Sequence, residues 1–405
     1  MRFPVLIIGM AAALLVACDT SSEAARTPQA MNAGDVAPAD WQPLPPAPRV
    51  DPEVLAARER ILGADATDPA TVKLWWYGVS GFIVSAGGHL FLFDAWESLG
   101  VQKDYVPIGR EELVAIAPEA ILIGHGHFDH AGDLGYIAGH ARATVVAGRT
   151  ACATARSRAA ELDLASDFPC VVLGERGVPG PGSTQSLRLW QDLPPLQIVE
   201  HRHSAIDPTD LLTGGLPLLY VPELTSYIEH LDTDPREIAM FLASLPDDGL
   251  VGEPNGGTWA YQLRVGDFSL LWHDSSGPIG DDAKGLATRA ALEALPGCVD
   301  VQLGAIVGFG MVTSGLRDST QYVASAHPRL FLPNHHDAWL PILGGGAAAY
   351  EPQWRAALAT LEHPPELDYL RDPDDYMKPR VYRVDDARWK QAMPGSACAT
   401  AASPA

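Results

Sequence analysis

The chain is poor in several things, and each shortage narrows what it can do. Positive charge is scarce: 28 Lys and Arg stand against 50 Asp and Glu in 405 residues, a formal net charge of −22. A surface of that sign repels phosphate backbones, so nucleic acid is excluded as a main partner. Cysteine is scarce too. The five, at positions 18, 152, 170, 298 and 398, have spacings that match no metal motif. No apolar run reaches the roughly 18 residues of a spanning helix, which excludes a polytopic membrane protein. No internal repeat recurs at a fixed period. What is abundant is apolar side chain: 47% of residues are hydrophobic and only 19% charged. That balance buries a large core and excludes a disordered chain. The length allows one large domain or two ordinary ones.

The first residues read as a targeting segment. Met1-Arg2 gives a short positive start, and Pro4 to Ala17 is apolar, with the size of a signal-peptide core. It ends in Leu15-Val16-Ala17-Cys18, which resembles a bacterial lipoprotein box. The resemblance implies that Cys18 is lipidated and begins the mature chain. The product would be a membrane-anchored lipoprotein of the cell envelope, facing the periplasm. Residues 19–50, rich in Ala, Pro, Ser and Thr, are expected as a flexible tether. Residues 394–405 are expected as a frayed, disordered tail. An oxidising compartment would allow the four remaining cysteines one or two disulfides.

The body, 51–393, alternates strands and helices. Strands are predicted over Val72 to Tyr77, Phe82 to Ser85, His89 to Asp94, Ala120 to Gly124, Ala143 to Ala147, Val171 to Leu173, Ser186 to Trp190 and Leu196 to His203. Thr258 to Val265 and Phe268 to His273 read as a hairpin around Gly266-Asp267. Val301 to Val307 and Arg329 to Leu332 are further strands. Helices are predicted over Asp133 to His140, Thr150 to Leu162, Ala283 to Leu295 and Gln353 to Leu361. The mixture implies an α/β fold of sheets covered by helices.

The chemistry is concentrated in His125-Gly126-His127-Phe128-Asp129-His130, directly after an apolar strand. Four strong ligands fall within six residues. Imidazole and carboxylate suit zinc, and two His at i and i+2 in extended backbone point the same way. Gly126 is expected to allow close backbone packing, and Ala131-Gly132 to let the next helix begin uncrowded.

This His-x-His-x-Asp-His pattern resembles the metallo-β-lactamase-fold hydrolases. The resemblance implies a four-layer αββα sandwich with a one- or two-metal site at its edge. It also implies three later ligands. Leu196 to Ser204 resembles the strand ending in His-Ser, which points to His203, with His201 as competitor. Phe268 to Ser275 resembles the strand that ends in a bridging Asp, here Asp274, although His273 stands where relatives have Gly. Leu332 to Asp337 resembles the last motif and points to His335 over His336. Asp94, ending Phe91-Leu92-Phe93-Asp94, would support the ligand loop by hydrogen bonds. The opening Trp75 to Phe82 looks most like the branch holding ascorbate-phosphate lactonase and related phosphodiesterases.

By this resemblance one metal takes His125, His127 and His203. The other takes Asp129, His130 and His335, with Asp274 between them. Two divalent ions are implied, zinc first, with manganese or iron as alternatives. They would hold a hydroxide that attacks a carbonyl or phosphoryl centre, with the catalytic Asp129 or a metal-bound water handling the proton. The expected function is hydrolysis of a small ester, lactone or phosphodiester in the cell envelope. The competitors are a β-lactamase or thioesterase of the same fold, and a non-catalytic metal-binding envelope lipoprotein. The expected partners are a small-molecule substrate and, through the anchor, the membrane. Residues 204–257 are expected as an insertion, read as a helical cover packed on the core in preference to an apolar lid roofing the pocket.

Overall fold

A computed structural model describes residues 34–393, apart from 48–49, 98–105, 175–179, 206–255, 281, 309 and 338–345. The lipobox, the C-terminal tail and nearly all of the expected 204–257 insertion lie outside the described residues.

In chain order the first half runs β1 (Asp35–Val36), α1 (Pro52–Leu62), β2 (Thr71–Trp76), β3 (Phe82–Ala86), β4 (His89–Phe93), α2 (Arg110–Ala115), β5 (Ala120–Leu122), α3 (Phe128–Ala131), α4 (Leu134–Ala141), β6 (Thr144–Gly148), α5 (Arg149–Glu161), β7 (Cys170–Leu173), β8 (Thr184–Leu187) and β9 (Leu196–His201). The second half runs β10 (Thr258–Val265), β11 (Phe268–His273), α6 (Ala283–Glu293), β12 (Val301–Ala305), α7 (Met311–Ser314), α8 (Arg317–Ala326), β13 (Leu330–Asn334), α9 (Ala347–Leu358), β14 (Glu366–Leu367) and β15 (Arg380–Arg383).

Two sheets result. The first has the order β1-β7-β6-β5-β4-β3-β2-β15 and the second β14-β13-β12-β11-β10-β9-β8. The helices α4 and α5 pack together over β6 and β7, while α6, α8 and α9 cover the second sheet. The fold is therefore a four-layer αββα sandwich. Its central strands are apolar on both faces, which is why β3 and β4 read as continuous runs rather than alternating ones. Gly87 and Gly88, at φ 61° and 91°, close the hairpin between them, a turn that demands left-handed backbone twice.

The interior between the sheets is aromatic. Phe93 stacks on Trp272 at 4.4 Å, and the buried Tyr261 hydroxyl crosses from the second sheet to donate to the Ile123 carbonyl at 2.7 Å. Fully burying a side chain of this size contributes roughly 1.5–3 kcal/mol. A disulfide joins Cys152 of α5 to Cys170 of β7.

Three expectations need correction. The segment 19–50 is not a tether throughout. Val36 and Asp35 pair in parallel with β7, Asp35 forms ion pairs with Arg156 and Arg149, and Leu44 bonds to Leu189 and Gln191. The ion pairs and ladder bonds hold a stretch whose composition alone reads as linker. Secondly, α1, α2 and α8 were not anticipated. The buried face of α8 is built partly from Asp318, Ser319 and Ser325, so its pattern is not apolar. Thirdly, α9 begins six residues before Gln353 and runs through Pro352.

Candidate metal centre

The residues singled out from sequence come from strand ends that meet at one edge of the sandwich. Five strands carry them: Asp94 follows β4, the His125–His130 motif follows β5, His203 follows β9, Asp274 follows β11 and His335 follows β13. The last turn of the motif is α3, which carries Asp129 and His130 inward together.

Three triads of ligand atoms converge. His125, His127 and His203 each offer a nitrogen within 4.8 Å of the others; so do Asp129, His130 and His335, counting the carboxylate oxygen; and His125, His130 and Asp274 form a third set between them. The imidazole rings of His125 and His127 each lie 4.6 Å from that of His203. His130 Nε2 and His335 Nε2 both stand 3.3 Å from Asp129 Oδ2. Asp274 Oδ2 contacts His125 Nδ1 at 2.7 Å and His130 Nδ1 at 3.3 Å, so it touches both halves.

The competing residues point elsewhere. His201 Nδ1 sits 3.0 Å from the Tyr322 hydroxyl, and His336 Nε2 is 2.8 Å from the Leu370 carbonyl. His273 faces the outer layer, with its Nδ1 against the Ser275 carbonyl and its Nε2 2.9 Å from Gln302.

Electrostatics divide the cluster in two. Burial, reinforced by neighbouring imidazoles, pushes His125 and His203 well below the usual histidine range, and burial takes His127 down to about 4. All three are neutral at pH 7, the form in which imidazole binds metal. Around His130 burial works downward, but Asp129, Asp94 and Asp274 outweigh it and raise the ring well above its ordinary value. Burial also works upward on Asp129, yet His130 and His335 hold it well below the carboxylate range. Asp274 is raised by burial, and Asp94 is raised by burial to about 6.

The donor set fits divalent metal ions. Asp274 is fully buried, and its Oδ1 has no hydrogen-bond partner among the described residues. A bare carboxylate oxygen in a protein interior is costly unless a cation meets it. Nitrogen and oxygen donors in this proportion suit zinc and its neighbours.

Asp94 supports the candidate ligands from behind. Its Oδ2 lies 2.7 Å from His130 Nδ1 and accepts the Ser80 hydroxyl at 2.6 Å, and its Oδ1 accepts the Gly124 amide at 3.1 Å. Ser80 was missed from sequence, as were Val79 and Asp337. The only hint was the glycine-flanked turn Gly78-Val79-Ser80-Gly81 between aromatic strands. Asp94, Val79 and His335 all adopt left-handed backbone, at φ 59°, 49° and 61°. Such conformations cost of order 1–3 kcal/mol each outside glycine and persist where surroundings over-determine them. Gly126 has room for a Cβ, with nothing nearer than 3.7 Å, so it is not the close-packed glycine expected. That position is Gly124, where a Cβ would lie 2.0 Å from Asp274.

Sequence comparison finds metal-dependent hydrolases among the curated relatives. A UPF0173 metal-dependent hydrolase from Pyrobaculum arsenaticum is 36% identical over 62 residues, covering 15% of this chain and 26% of the relative. One from Polynucleobacter asymbioticus is 33% identical over 91 residues, covering 21% and 31%. The chain thus spans less than a third of the length of these curated relatives. Among solved structures, Igni18, a metallo hydrolase from Ignicoccus hospitalis, aligns at 13% identity and a TM-score of 0.46, over 77% of this chain and 98% of that one. Residues 74–204, from β2 through the first four histidine and aspartate positions to His203, match the family described as the Metallo-beta-lactamase superfamily.

Proposed function

We propose that this chain is a metal-dependent hydrolase that cleaves a small ester, lactone or phosphodiester at the edge of the sandwich. The observation that carries the reading is the set of three overlapping His/Asp triads at the strand ends, joined through the shared residues His125 and His130. The names of the curated relatives, metal-dependent hydrolases, support the same reaction type.

His125, His127 and His203 would hold one ion; Asp129, His130 and His335 the other; Asp274 reaches both. Bound divalent ions supply an electrophile for a developing oxyanion and acidify water toward neutral pH. The chain's own residues do the rest. The three neutral imidazoles leave lone pairs at one side of the site. His130, anchored by Asp94, keeps a fixed ring orientation. Asp129, held ionised between His130 and His335, would orient the attacking group, take its proton and hand it to the leaving-group oxygen.

The site is taken to work in the bacterial envelope, on a chain anchored through lipidated Cys18. The Cys152–Cys170 disulfide supports an oxidising compartment, since such bonds persist there and are rare in the cytosol.

The test is turnover of lactones, phosphodiesters, thioesters and β-lactams by the full chain reconstituted with zinc, manganese or iron. Hydrolysis of an ester, lactone or phosphodiester, abolished in Asp274→Ala and His127→Ala, is expected. Turnover confined to β-lactams or thioesters would reassign the substrate. Bound metal without any turnover would make the chain a metal-binding lipoprotein, and a folded chain that takes up no metal would sink the reading.

A further inference from the structure

His335 reaches the centre from a left-handed backbone conformation, uncommon outside glycine, and the hydrogen bonds around it show what holds it there. Its amide donates to the Val79 carbonyl at 2.8 Å, and the Trp76 indole donates to the same oxygen at 3.0 Å. The Val79 amide in turn donates to both oxygens of Asp337, at 3.2 and 3.0 Å. Val79 is itself left-handed, a conformation that branching at Cβ disfavours. One residue of the β2–β3 turn is therefore bonded at both its backbone groups to the segment 335–337. The ring closes through His335, Val79 and Asp337, and the two rare backbone conformations brace each other.

Asp337 is completely buried. Its Oδ2 also accepts the Tyr376 hydroxyl at 2.5 Å. Tyr376 packs against Trp76 at 4.6 Å, and the neighbouring Met377 amide donates to the Trp76 carbonyl at 2.9 Å. Three separate stretches of chain, 76–79, 335–337 and 376–377, thus meet at one carboxylate. It lies two residues from His335, and its hydrogen bonds among the described residues go to Val79 and Tyr376 and to none of the candidate ligands.

We propose that Asp337 is a positioning residue for the metal site formed by Asp129, His130 and His335. Through the Val79 amide it fixes the backbone of His335, and so the direction of the His335 ring toward Asp129. The proposal rests on the metal-dependent reading above and adds to it a specific asymmetry. Loss of Asp337 affects the His335 site and leaves the site of His125, His127 and His203 intact.

The experiment is cobalt(II) titration of the metal-free full chain, followed by its visible absorption, with amide hydrogen exchange at Val79 and His335 measured before metal is added. Wild type should take up two equivalents with distinct spectra. Asp337→Ala should weaken only one equivalent, by about 10- to 100-fold, the range seen when groups behind a metal ligand are removed. It should also speed exchange at the Val79 and His335 amides. Asp337→Asn keeps an acceptor for the Val79 amide and should restore both readouts to within a few-fold of wild type. If Asp337→Ala does not fold, Tyr376→Phe, which keeps the ring and removes only the hydroxyl, should weaken the same equivalent several-fold. Wild-type affinity for both equivalents in the folded variant, or equal weakening of both, overturns the proposal while leaving the metal-dependent reading in place. A wild-type chain that takes up no cobalt overturns both.

Discussion

Gly124→Ala tests the centre at the point where backbone and ligand are closest. A Cβ at position 124 would lie 2.0 Å from Asp274 Cγ and Oδ2 and 2.4 Å from Oδ1. An ordinary contact begins near 3.4 Å, so one partner must retreat by about 1.4 Å. The backbone at 124 is held from both sides: its amide donates to Asp94 Oδ1 at 3.1 Å, and its carbonyl accepts the Trp259 amide at 2.8 Å. Asp274 therefore moves, and with it the carboxylate that His125 and His130 share. Metal–ligand distances are expected within about ±0.2 Å of their standard values, so a shift of about 1.4 Å does not preserve the coordination. Losing one well-placed partner of a metal ligand costs about 10- to 100-fold in affinity, or roughly 1.4–2.8 kcal/mol. Overpacking should cost a further ~1–3 kcal/mol of fold stability. The assay is competition for zinc with a chromophoric chelator, beside thermal unfolding of the metal-free chain. Both equivalents should weaken, because Asp274 touches both halves of the cluster. Gly126→Ala is the control: its Cβ meets nothing nearer than 3.7 Å, and affinity should stay within about two-fold. A Gly124→Ala chain with wild-type zinc affinity would refute the placement of Asp274 as a ligand.

Two further outcomes concern residues outside the candidate ligand set. His89 is buried between Glu119 (2.6 Å) and Asp192 (2.9 Å); burial alone would lower its proton affinity, but the two carboxylates outweigh it and raise it. A raised folded-state value gives stability that is complete below the unfolded value of about 6.5 and is lost as pH rises through the folded one. Thermal melts from pH 5 to 9 should thus fall more steeply for wild type than for His89→Gln, and parallel curves would refute the argument. Replacing Cys18 with Ser should move the protein from the membrane to the soluble fraction of a bacterial lysate; an unchanged pellet would discard the lipid anchor.

Much of the sandwich could be read from sequence because its strands are short, apolar and punctuated by glycine. The Gly87-Gly88 and Gly266-Asp267 turns announce their hairpins, and the His125–His130 motif announces the centre by density of ligands alone. What was illegible depended on where a strand stops. Alternation places His201 and His203 on one face, but β9 ends at His201, so the chain turns and only His203 enters the cluster. The choice between His335 and His336 turned on a left-handed backbone at His335 that no local pattern announces. Gly124 looked like an ordinary strand terminus, and its tightness comes from Asp274, 150 positions away in the chain. Ser80 and Asp337 act through the folded arrangement of distant segments, so neither carries a signature of its own.

The docking of β1 bears on where the catalytic edge can travel. With Asp35 and Val36 locked onto β7, a leash from the proposed lipid on Cys18 would end at residue 34, not at residue 50. However those sixteen steps of chain are arranged, they reach at most about 55 Å. If Cys18 is lipidated as proposed, an enzyme on so short a leash would patrol a thin shell of the envelope, a domain's width or two from the bilayer. Its substrates would be encountered as molecules crossing or leaving that surface, at the high local concentration a membrane-confined catalyst enjoys, and not across the bulk of the compartment.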